Sequence, residues 1–228
     1  MRHHLSIIIP VLNEAYIINR TLMHLQNLEG DFSLELIIVD GDPEGSTIAA
    51  VTSTTVKKIK SPRGRGFQMN QGSRLATGEI LIFLHADVVL GKDALLQIVD
   101  VCRRKDVAGG AFSLGIDSDK RVFRLIEKTV SLRSRLTKIP YGDQAIFIKK
   151  TIYDKIGGFR DIPLMEDVDL MRRLKKAGGK IIILPDMALT SPRRWEKEGV
   201  LYCTLRNWLL ITLYLLGVAP ERLVKFYH

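Results

Sequence analysis

Cysteine is scarce in this chain of 228 residues, which contains only Cys102 and Cys203. The two lie far apart in sequence, and neither has a histidine or a second cysteine at metal-ligand spacing. A disulfide framework and a zinc site are therefore not predicted. Such a composition suits a reducing compartment, and we expect a cytoplasmic protein.

Long hydrophobic runs are also missing. The most apolar stretch, 208–216, has nine residues, well short of the ~20 that a membrane helix needs. The N-terminal apolar run contains Pro10 and leads directly into Asn13-Glu14, so we expect no signal peptide. With 46% hydrophobic residues and few glycines and prolines, the chain can bury a core, and one large domain is the favoured organisation.

Two glycine-rich nucleotide signatures are absent. Pro10-Val11-Leu12 follows the first apolar segment, where a dinucleotide-binding fold would have Gly-x-Gly-x-x-Gly. Gly64-Arg65-Gly66 lacks the third glycine, and the Gly-Lys-Ser/Thr sequence of a P-loop does not occur. Hydride transfer and P-loop chemistry are therefore disfavoured.

Acidic residues are missing between Gly45 and Gly78, a segment that contains six lysines and arginines. The net charge is +9, and residues 172–228 contain 11 Lys/Arg against 4 Asp/Glu. This charge favours anionic partners, namely nucleic acid, phosphorylated substrates or an acidic membrane surface, although a solvated basic face explains it equally well. Arg63 and Arg65, each followed by a glycine at the start of a predicted helix, suit phosphate binding.

Short β-branched runs alternate with helical patterns along the chain. This alternation predicts an α/β protein with a mostly parallel sheet covered by helices on both faces. The predicted strands are 5–9, 34–39, 54–56, 80–84, 108–116, 145–148 and 181–184. The predicted helices are one ending at Leu28 and those at 66–76, 92–104, 119–136, 164–177 and 198–216.

Polar residues follow three of the predicted strands, at Asn13-Glu14, at Asp40 and at His85-Ala86-Asp87. The carboxyl ends of parallel strands form the ligand-binding edge of an open α/β sheet. Asp87 follows a buried strand, where an ionised carboxylate is costly unless it is paired or binds a cation. We favour a metal ligand, with a helix cap as the alternative.

A second acidic cluster, Glu166, Asp167 and Asp169, lies in the first turns of a predicted helix. The helix dipole stabilises acids at this position, which is sufficient to explain them. Glu166 and Asp167 are adjacent beside an apolar stripe, however, so one of them is available as a general base.

These residues together resemble family 2 glycosyltransferases with the GT-A nucleotide-sugar fold, a Rossmann-like three-layer α/β/α architecture. The similarity extends from residue 5 to about residue 195 and is greatest to a small bacterial subgroup associated with radical-SAM and selenium-related domains. It implies a glycosyltransferase domain at 1–195, followed by a C-terminal helical extension at 196–228 that packs on this domain or lies at an interface.

The resemblance assigns roles to individual residues. Segment 6–14 is similar to the opening strand and nucleotide loop, Asp40 to the aspartate that binds the base, and His85-Ala86-Asp87 to an Asp-x-Asp motif whose first aspartate is here His85. The implied donor-binding residues are Pro10, Asn13, Glu14, Asp40, Arg63 or Arg65, Asn70, His85, Ala86 and Asp87, with Asp87 as metal ligand. The implied acceptor or diphosphate residues are Tyr141, Asp143, Gln144, Gly158, Arg194 and Trp195, although a plain turn explains 141–144 equally well.

The implied reaction is an inverting transfer from a nucleotide sugar, with uracil as the usual base, to an acceptor hydroxyl. Asp167 is the implied general base, with Glu166 as second choice. A divalent cation, Mn²⁺ or Mg²⁺, would be held by Asp87, because such cations prefer oxygen ligands. Nucleic acid is not an implied partner.

The apolar C-terminal segment, 205–227, has two interpretations. It is a core or dimer helix, or it is a membrane-surface helix, because aromatic and apolar residues with flanking bases suit the headgroup region. The second interpretation fits a lipid-linked acceptor and a peripheral position on the inner membrane surface.

Two rival functions remain. A sugar-nucleotide nucleotidyltransferase would need a glycine-rich loop with Arg and Lys directly after the first strand, which this chain lacks. A non-catalytic basic module that binds nucleic acid or membrane would have aromatic residues between the bases of 57–74, where only Phe67 occurs.

Overall fold

The predicted alternation of strands and helices is present in the computed structural model, which describes residues 3–227. Within that range the strands are β1 His3–Val11, β2 Phe32–Asp40, β3 Lys57–Lys60, β4 Ile80–Phe83, β5 Val88–Val89, β6 Val107–Ile116, β7 Ile146–Lys149 and β8 Lys180–Thr190. The third strand therefore begins at Lys57, after the predicted 54–56. Its lysines are exposed at the edge of the sheet, where such residues oppose pairing with another chain.

The helices cover the sheet and extend beyond it. They are α1 Ile18–Gln26, α2 Ser46–Ala50, α3 Arg65–Leu75, α4 Ala94–Cys102, α5 Arg121–Thr137, α6 Lys150–Lys155, α7 Glu166–Lys176, α8 Arg193–Glu198, α9 Val200–Leu215 and α10 Pro220–Leu223. Gly142–Gln144 and Val224–Phe226 form short 3₁₀ turns.

The strands join in one sheet with the order β3-β2-β1-β4-β7-β6-β8-β5. The pairs among β3, β2, β1 and β4 are parallel, as is the pair β6 and β8. β7 is antiparallel to both of its neighbours, and β5 is antiparallel to β8. The predicted α/β fold class is confirmed, and the sheet is mixed.

Both faces of the sheet are buried. Ile7 and Ile9 of β1 belong to the core under α1 and α4, whereas Ile8 points into the core under α3, α6 and α7. This alternation follows from the two-residue period of a strand. Because strands covered on both faces are apolar throughout, β7 could not be recognised from sequence as antiparallel.

The C-terminal helices pack at two places. Trp195 and Val200 contact an apolar cluster that includes Phe123 of α5. Leu210 of α9 and Leu223 of α10 pack with Leu164, just before α7. Within residues 3–227, no helix combines the length and the apolar content needed to cross a bilayer.

Candidate functional site

Three parallel strands bring their polar ends to one edge of the sheet. After β1 the chain passes through Asn13, whose φ of 58° is in the left-handed region. This turn leads directly to Glu14. Pro10 lies within β1, half-buried, and Ala86 is buried with its carbonyl accepting a hydrogen bond from Thr21 Oγ1 at 2.5 Å. Both are structural parts of the edge that positions Glu14 and Asp87.

Asp40, at the end of β2, is completely buried. Its Oδ1 accepts a hydrogen bond from the Asp42 amide at 3.0 Å, and its Oδ2 accepts bonds from the amides of Thr47 and Ile48 at 3.0 and 3.1 Å. The carboxylate therefore caps the start of α2. Its contact with a nucleobase stays a prediction, and one that needs this turn to open.

Asp87 and Glu14 share one arginine, Arg193 of α8. Its Nη2 lies 3.1 Å from Asp87 Oδ2 and 3.7 Å from Glu14 Oε2. Burial, and then the charge of Glu14, raise the pKa of Asp87. The negative charges of these two partly buried acids thus require a nearby positive charge, which Arg193 supplies.

The same two acids fit a hard divalent cation in part. Within residues 3–227, the buried Oε2 of Glu14 has no donor at hydrogen-bond distance, and its ion-pair partner Arg193 lies 3.7 Å away, so a ligand at this oxygen would replace Arg193. No cluster of three or more His, Cys, Asp or Glu side chains suited to a metal occurs in that range. A cation at Asp87 would therefore need further oxygens from a bound diphosphate and would compete with Arg193.

Asp167, near the start of α7, is held by two backbone amides. Its Oδ2 accepts a hydrogen bond from Gly142 at 2.6 Å, and its Oδ1 accepts one from Val168 at 2.7 Å. Burial raises the pKa of Asp167 and of its neighbour Glu166, and the charge of Asp167 raises the pKa of Glu166 further. Arg65 acts against both shifts.

A small cavity connects these carboxylates with the end of β4. Its polar wall consists of Arg65, His85, Gly142, Glu166 and Asp167, and its apolar wall of Met69, Phe83, Ile146 and Phe159. Burial, and then the charge of Arg65, lower the pKa of His85 to about 3, so its imidazole is neutral at pH 7. Arg65 is the first residue of α3, and its side chain is open to solvent within the cleft although protein surrounds it on several sides.

Of the two arginines left open by the sequence, Arg65 lines this cavity, whereas Arg63 lies on the exposed turn before α3. The charge of Arg65 acts on the carboxylates of Glu166, Asp167, Asp87 and Asp143. The guanidinium of Arg65 therefore interacts both with Asp87 and with the pair Glu166 and Asp167.

Asp143 is a further acidic residue of the site. Burial, and then the charge of Asp167, raise its pKa to about 6, with Asp87 contributing in the same direction. Arg133 of α5 acts on both Asp143 and Asp167, and its guanidinium carbon lies 3.4 Å from the ring centre of Tyr141. The charges of Asp87 and Asp167 thus both act on Asp143, and of these two acids Asp167 lines the cavity.

Gln144 has a different environment from Asp143. It is completely buried, its Oε1 accepts hydrogen bonds from Ser134 and from the Tyr141 amide, and its Nε2 donates to the carbonyl of Phe112. The turn at 141–144 is therefore fixed to the core by Gln144, while Asp143 is directed towards the other acids.

Asn70 and Gly158 also make contacts within the fold. The Asn70 amide donates to the carbonyl of Phe159, and its Oδ1 accepts from the Phe159 amide and the Tyr153 hydroxyl. Gly158 has a φ of 64°, and a Cβ on it would lie 2.6 Å from Asn70 Oδ1. Both residues thus shape the wall of the cleft, and direct ligand contacts by them stay predictions.

Arg194 and Trp195 point away from the acids. Trp195 packs edge-on against Phe123 with ring centres 5.9 Å apart. Arg194 pairs with Glu198 at 3.3 Å and lies against the ring and hydroxyl of Tyr227. Tyr227 also interacts with Arg65.

Sequence reasoning did not identify Arg193, Arg133 and Tyr227 as site residues. Arg193 is adjacent to the predicted Arg194, and that pairing was the available signal. Arg133 and Tyr227 had no local signal, because one lies in the middle of an amphipathic helix and the other near the end of an apolar segment.

Comparison with known sequences gives a consistent result. The sequence model described as "Glycosyl transferase family 2" matches residues 6–161. Curated relatives include the glycosyltransferase YfnE of Bacillus subtilis, 28% identical over 75% of this chain, and the beta-monoglucosyldiacylglycerol synthase of Trichormus variabilis, 25% identical over 74%. The aligned part covers 45% and 40% of the length of these two relatives.

A solved structure shares the fold. It is the mannosyltransferase PcManGT from Pyrobaculum calidifontis in complex with GDP-Man and Mn²⁺, with a TM-score of 0.68 and 23% identity over 97% of this chain and 67% of the other.

Proposed function

Because the chain belongs to glycosyl transferase family 2, we propose that it transfers a sugar from a nucleoside-diphosphate donor to a hydroxyl group with inversion at the anomeric carbon. The observation that carries this proposal is the cleft in which Asp167, held by two amides, lies beside Arg65 and His85. The arrangement combines a proton acceptor with a cation for the leaving phosphate.

Asp167 acts as the general base. Its two amide hydrogen bonds, one to each oxygen, hold the carboxylate at the wall of the cavity. In single displacement, the acceptor oxygen attacks the anomeric carbon as its proton passes to Asp167, and the bond to the diphosphate oxygen breaks with its electron pair on that oxygen. Glu166 is the second choice, and burial and the charge of Asp167 raise its pKa to about 7.

Arg65 stabilises the diphosphate as negative charge develops on it, with the guanidinium fork suited to phosphate oxygens. Its position at the first turn of α3 adds the partial positive charge of a helix N-terminus. Arg193 is available for the same purpose when it leaves Asp87. Arg194 would assist only after leaving Glu198 and Tyr227.

Asp87, with Glu14, would hold a divalent cation, Mn²⁺ or Mg²⁺. A bound cation supplies charge neutralisation for the leaving diphosphate. Carboxylate oxygens suit both ions, and the Mn²⁺ in PcManGT supports the choice of manganese. A quarter of the Asp87 side chain is exposed, so solvent reaches it.

The finer identity of the substrates is also a proposal. We favour a UDP-sugar from the motif at 39–41, with GDP-mannose, the donor bound in PcManGT, as the competitor. The relative named beta-monoglucosyldiacylglycerol synthase favours a lipid acceptor. We place the reaction in the cytoplasm, at the inner membrane surface, with the membrane rather than a homodimer interface at the C-terminal helix.

The test is the variant Asp167→Asn. Turnover, measured as release of nucleoside diphosphate from a panel of nucleotide sugars with Mn²⁺, should fall ~10²–10⁴-fold, the range typical of a general base. Donor affinity by calorimetry should not change, because asparagine keeps the size of the side chain. The control is Asp100→Asn, whose side chain is 70% exposed on α4 and should leave both quantities unchanged. Equal turnover in Asp167→Asn and the control would remove Asp167 from this role.

A further inference from the structure

The outward face of α9 is apolar, although it is not covered by protein within the described chain. Between Val200 and the C-cap residue Leu216, eight residues are exposed, and seven of these are apolar or aromatic, with Thr212 as the exception. Leu201 and Leu216 are 74% and 77% exposed, and Trp208 is half exposed. A surface helix normally presents polar side chains on this face, so an uncovered apolar face indicates a partner.

A second apolar stripe lies on α5. Val122, Leu125, Leu132 and Leu136 are exposed, the last two by 59% and 73%. Their spacing of three, seven and four residues places them on one side of the helix. The opposite, buried side of α5 holds Phe123 and the rest of its cluster.

The two stripes belong to neighbouring helices. The cluster that contains Phe123 also contacts Trp195 and Val200, the first residue of α9. An ion pair joins Lys120, just before α5, to Glu196 of α8 at 3.3 Å. We define the α5–α9 face as these two stripes together.

The α5–α9 face adjoins the cleft. At 100° per residue, the mean direction of the α5 stripe lies about 65° from Arg133, which faces Asp143 and Asp167. On the α9 side, the tail returns through Tyr227 to Arg65. The α5 stripe is therefore next to the side of the helix whose Arg133 interacts with Asp143 and Asp167.

Basic residues border the same face. Helix α5 contains five Lys/Arg, and its one acidic residue, Glu127, is buried. By the same helix geometry, the mean direction of Arg121, Arg124, Lys128 and Arg135 lies about 85° from the apolar stripe, on the side away from Arg133. Arg222 and Lys225 are exposed near the end of the chain.

We propose that the α5–α9 face docks on an anionic lipid bilayer surface, with the apolar stripes in the headgroup region and the basic residues against anionic headgroups. This inference rests on the proposed function. It adds that the acceptor of the sugar comes from the bilayer. Charge selects the bilayer over a second copy of the chain. Two α5–α9 faces in contact would oppose their basic residues, and each chain has a net charge of +9.

The experiment uses the full chain and vesicles of phosphatidylcholine, with or without about 30% phosphatidylglycerol. Three double variants are compared by co-sedimentation. Leu132→Gln with Leu136→Gln alters α5, Leu205→Gln with Leu209→Gln alters α9, and Met23→Gln with Leu75→Gln is the matched control on α1 and α3, where both residues are exposed.

Wild type and the control should sediment with the anionic vesicles. Their binding to the neutral vesicles should be at least tenfold weaker. The α5 and α9 variants should each lose binding by at least tenfold, while donor hydrolysis without vesicles stays at the wild-type value. With anionic vesicles, the tryptophan emission of wild type, to which Trp195 and the half-exposed Trp208 contribute, should shift to shorter wavelength, and the shift should be smaller in the α9 variant.

Three results would overturn the proposal. They are wild type that stays in the supernatant, an α5 variant that binds like the control, and a wild-type dimer in sedimentation equilibrium that the same α5 and α9 substitutions dissociate. Each is independent of the proposed function, because donor hydrolysis in solution is measured separately and fails only if the chemistry is wrongly assigned.

Discussion

At the scale of single residues, Asp143 has the clearest thermodynamic consequence. Its ordinary pKa of 3.8 is raised to about 6 by burial and by Asp167, so the folded protein binds a proton there more tightly than the unfolded chain does. The folding free energy from this group is therefore most favourable below the unfolded pKa, and it is lost as the pH rises through about 6. Arg133 and Arg65 reduce this loss, and Asp167 and Asp87 increase it.

We therefore expect Asp143→Asn to stabilise the protein at about pH 8 by ~1–3 kcal/mol, from the size of the pKa shift, and to have little effect at about pH 4. Denaturant unfolding in EDTA measures both values. Asp100→Asn on the α4 surface is the control, with no pH-dependent gain expected. A stabilisation of equal size at both pH values would show that charge is not its cause.

Asp87 gives a prediction about metal. Asp87→Ala should remove the Mn²⁺ dependence of donor binding, because Glu14 alone leaves one carboxylate for the cation. Calorimetry with a nucleotide sugar, with and without Mn²⁺, measures it. Wild-type affinity with Mn²⁺ in Asp87→Ala would contradict a cation at this position.

At the scale of elements, the approach of β6 to its neighbours depends on glycine. A Cβ on Gly110 would lie 2.0 Å from the carbonyl oxygen of Ile182 in β8 and 2.6 Å from the Phe147 ring in β7. Two strands therefore pack at this point only because the side chain is absent. The strand pattern of 108–116 predicted β6, and a glycine inside a strand signals close backbone approach.

Gly110→Ala should reduce the free energy of unfolding by ~1–3 kcal/mol or more, the usual cost of overpacking a core. Gly91→Ala is the matched control, since a Cβ there meets no atom within 4 Å, and its effect should stay within about 0.5 kcal/mol. Urea unfolding of both variants measures the difference. Equal stability of the two would mean that β6 shifts to accommodate the methyl group.

At the scale of the whole molecule, ligand binding should stabilise the fold by mass action. A nucleotide sugar at 100 times its Kd adds about 2.7 kcal/mol, provided that it binds only the folded state. For a chain of 228 residues this corresponds to a rise in Tm of ~5–10 °C. A thermal-shift panel of UDP- and GDP-sugars with Mn²⁺ should show it for one donor base, and equal shifts for all nucleotides would mean binding by charge alone.

The residues of the proposed site divide into two groups by how far they were predictable. Asp87, Asp167 and Glu166 come from short motifs at strand ends and helix starts, where local sequence decides both the type and the position of the side chain. Arg65 was one of two arginines that the sequence left open, and the cavity separates it from Arg63. Arg193 and Arg133 could not be found in this way, because their contact with the acids depends on how α8 and α5 pack.

The sequence alone determined the α/β class, the order of the longer strands and helices and the strand ends that carry acids, because period-two and period-3.6 patterns and turn residues are local properties. Short elements such as α2, β5 and α6 were not predicted. Only the tertiary structure decided the antiparallel direction of β7, the burial of Asp40 as a helix cap and the contact of Arg193 with Asp87 and Glu14. These three features depend on contacts between residues that are distant in sequence. Hydrophobic burial drives such contacts, but it is non-directional and does not by itself specify which segments meet.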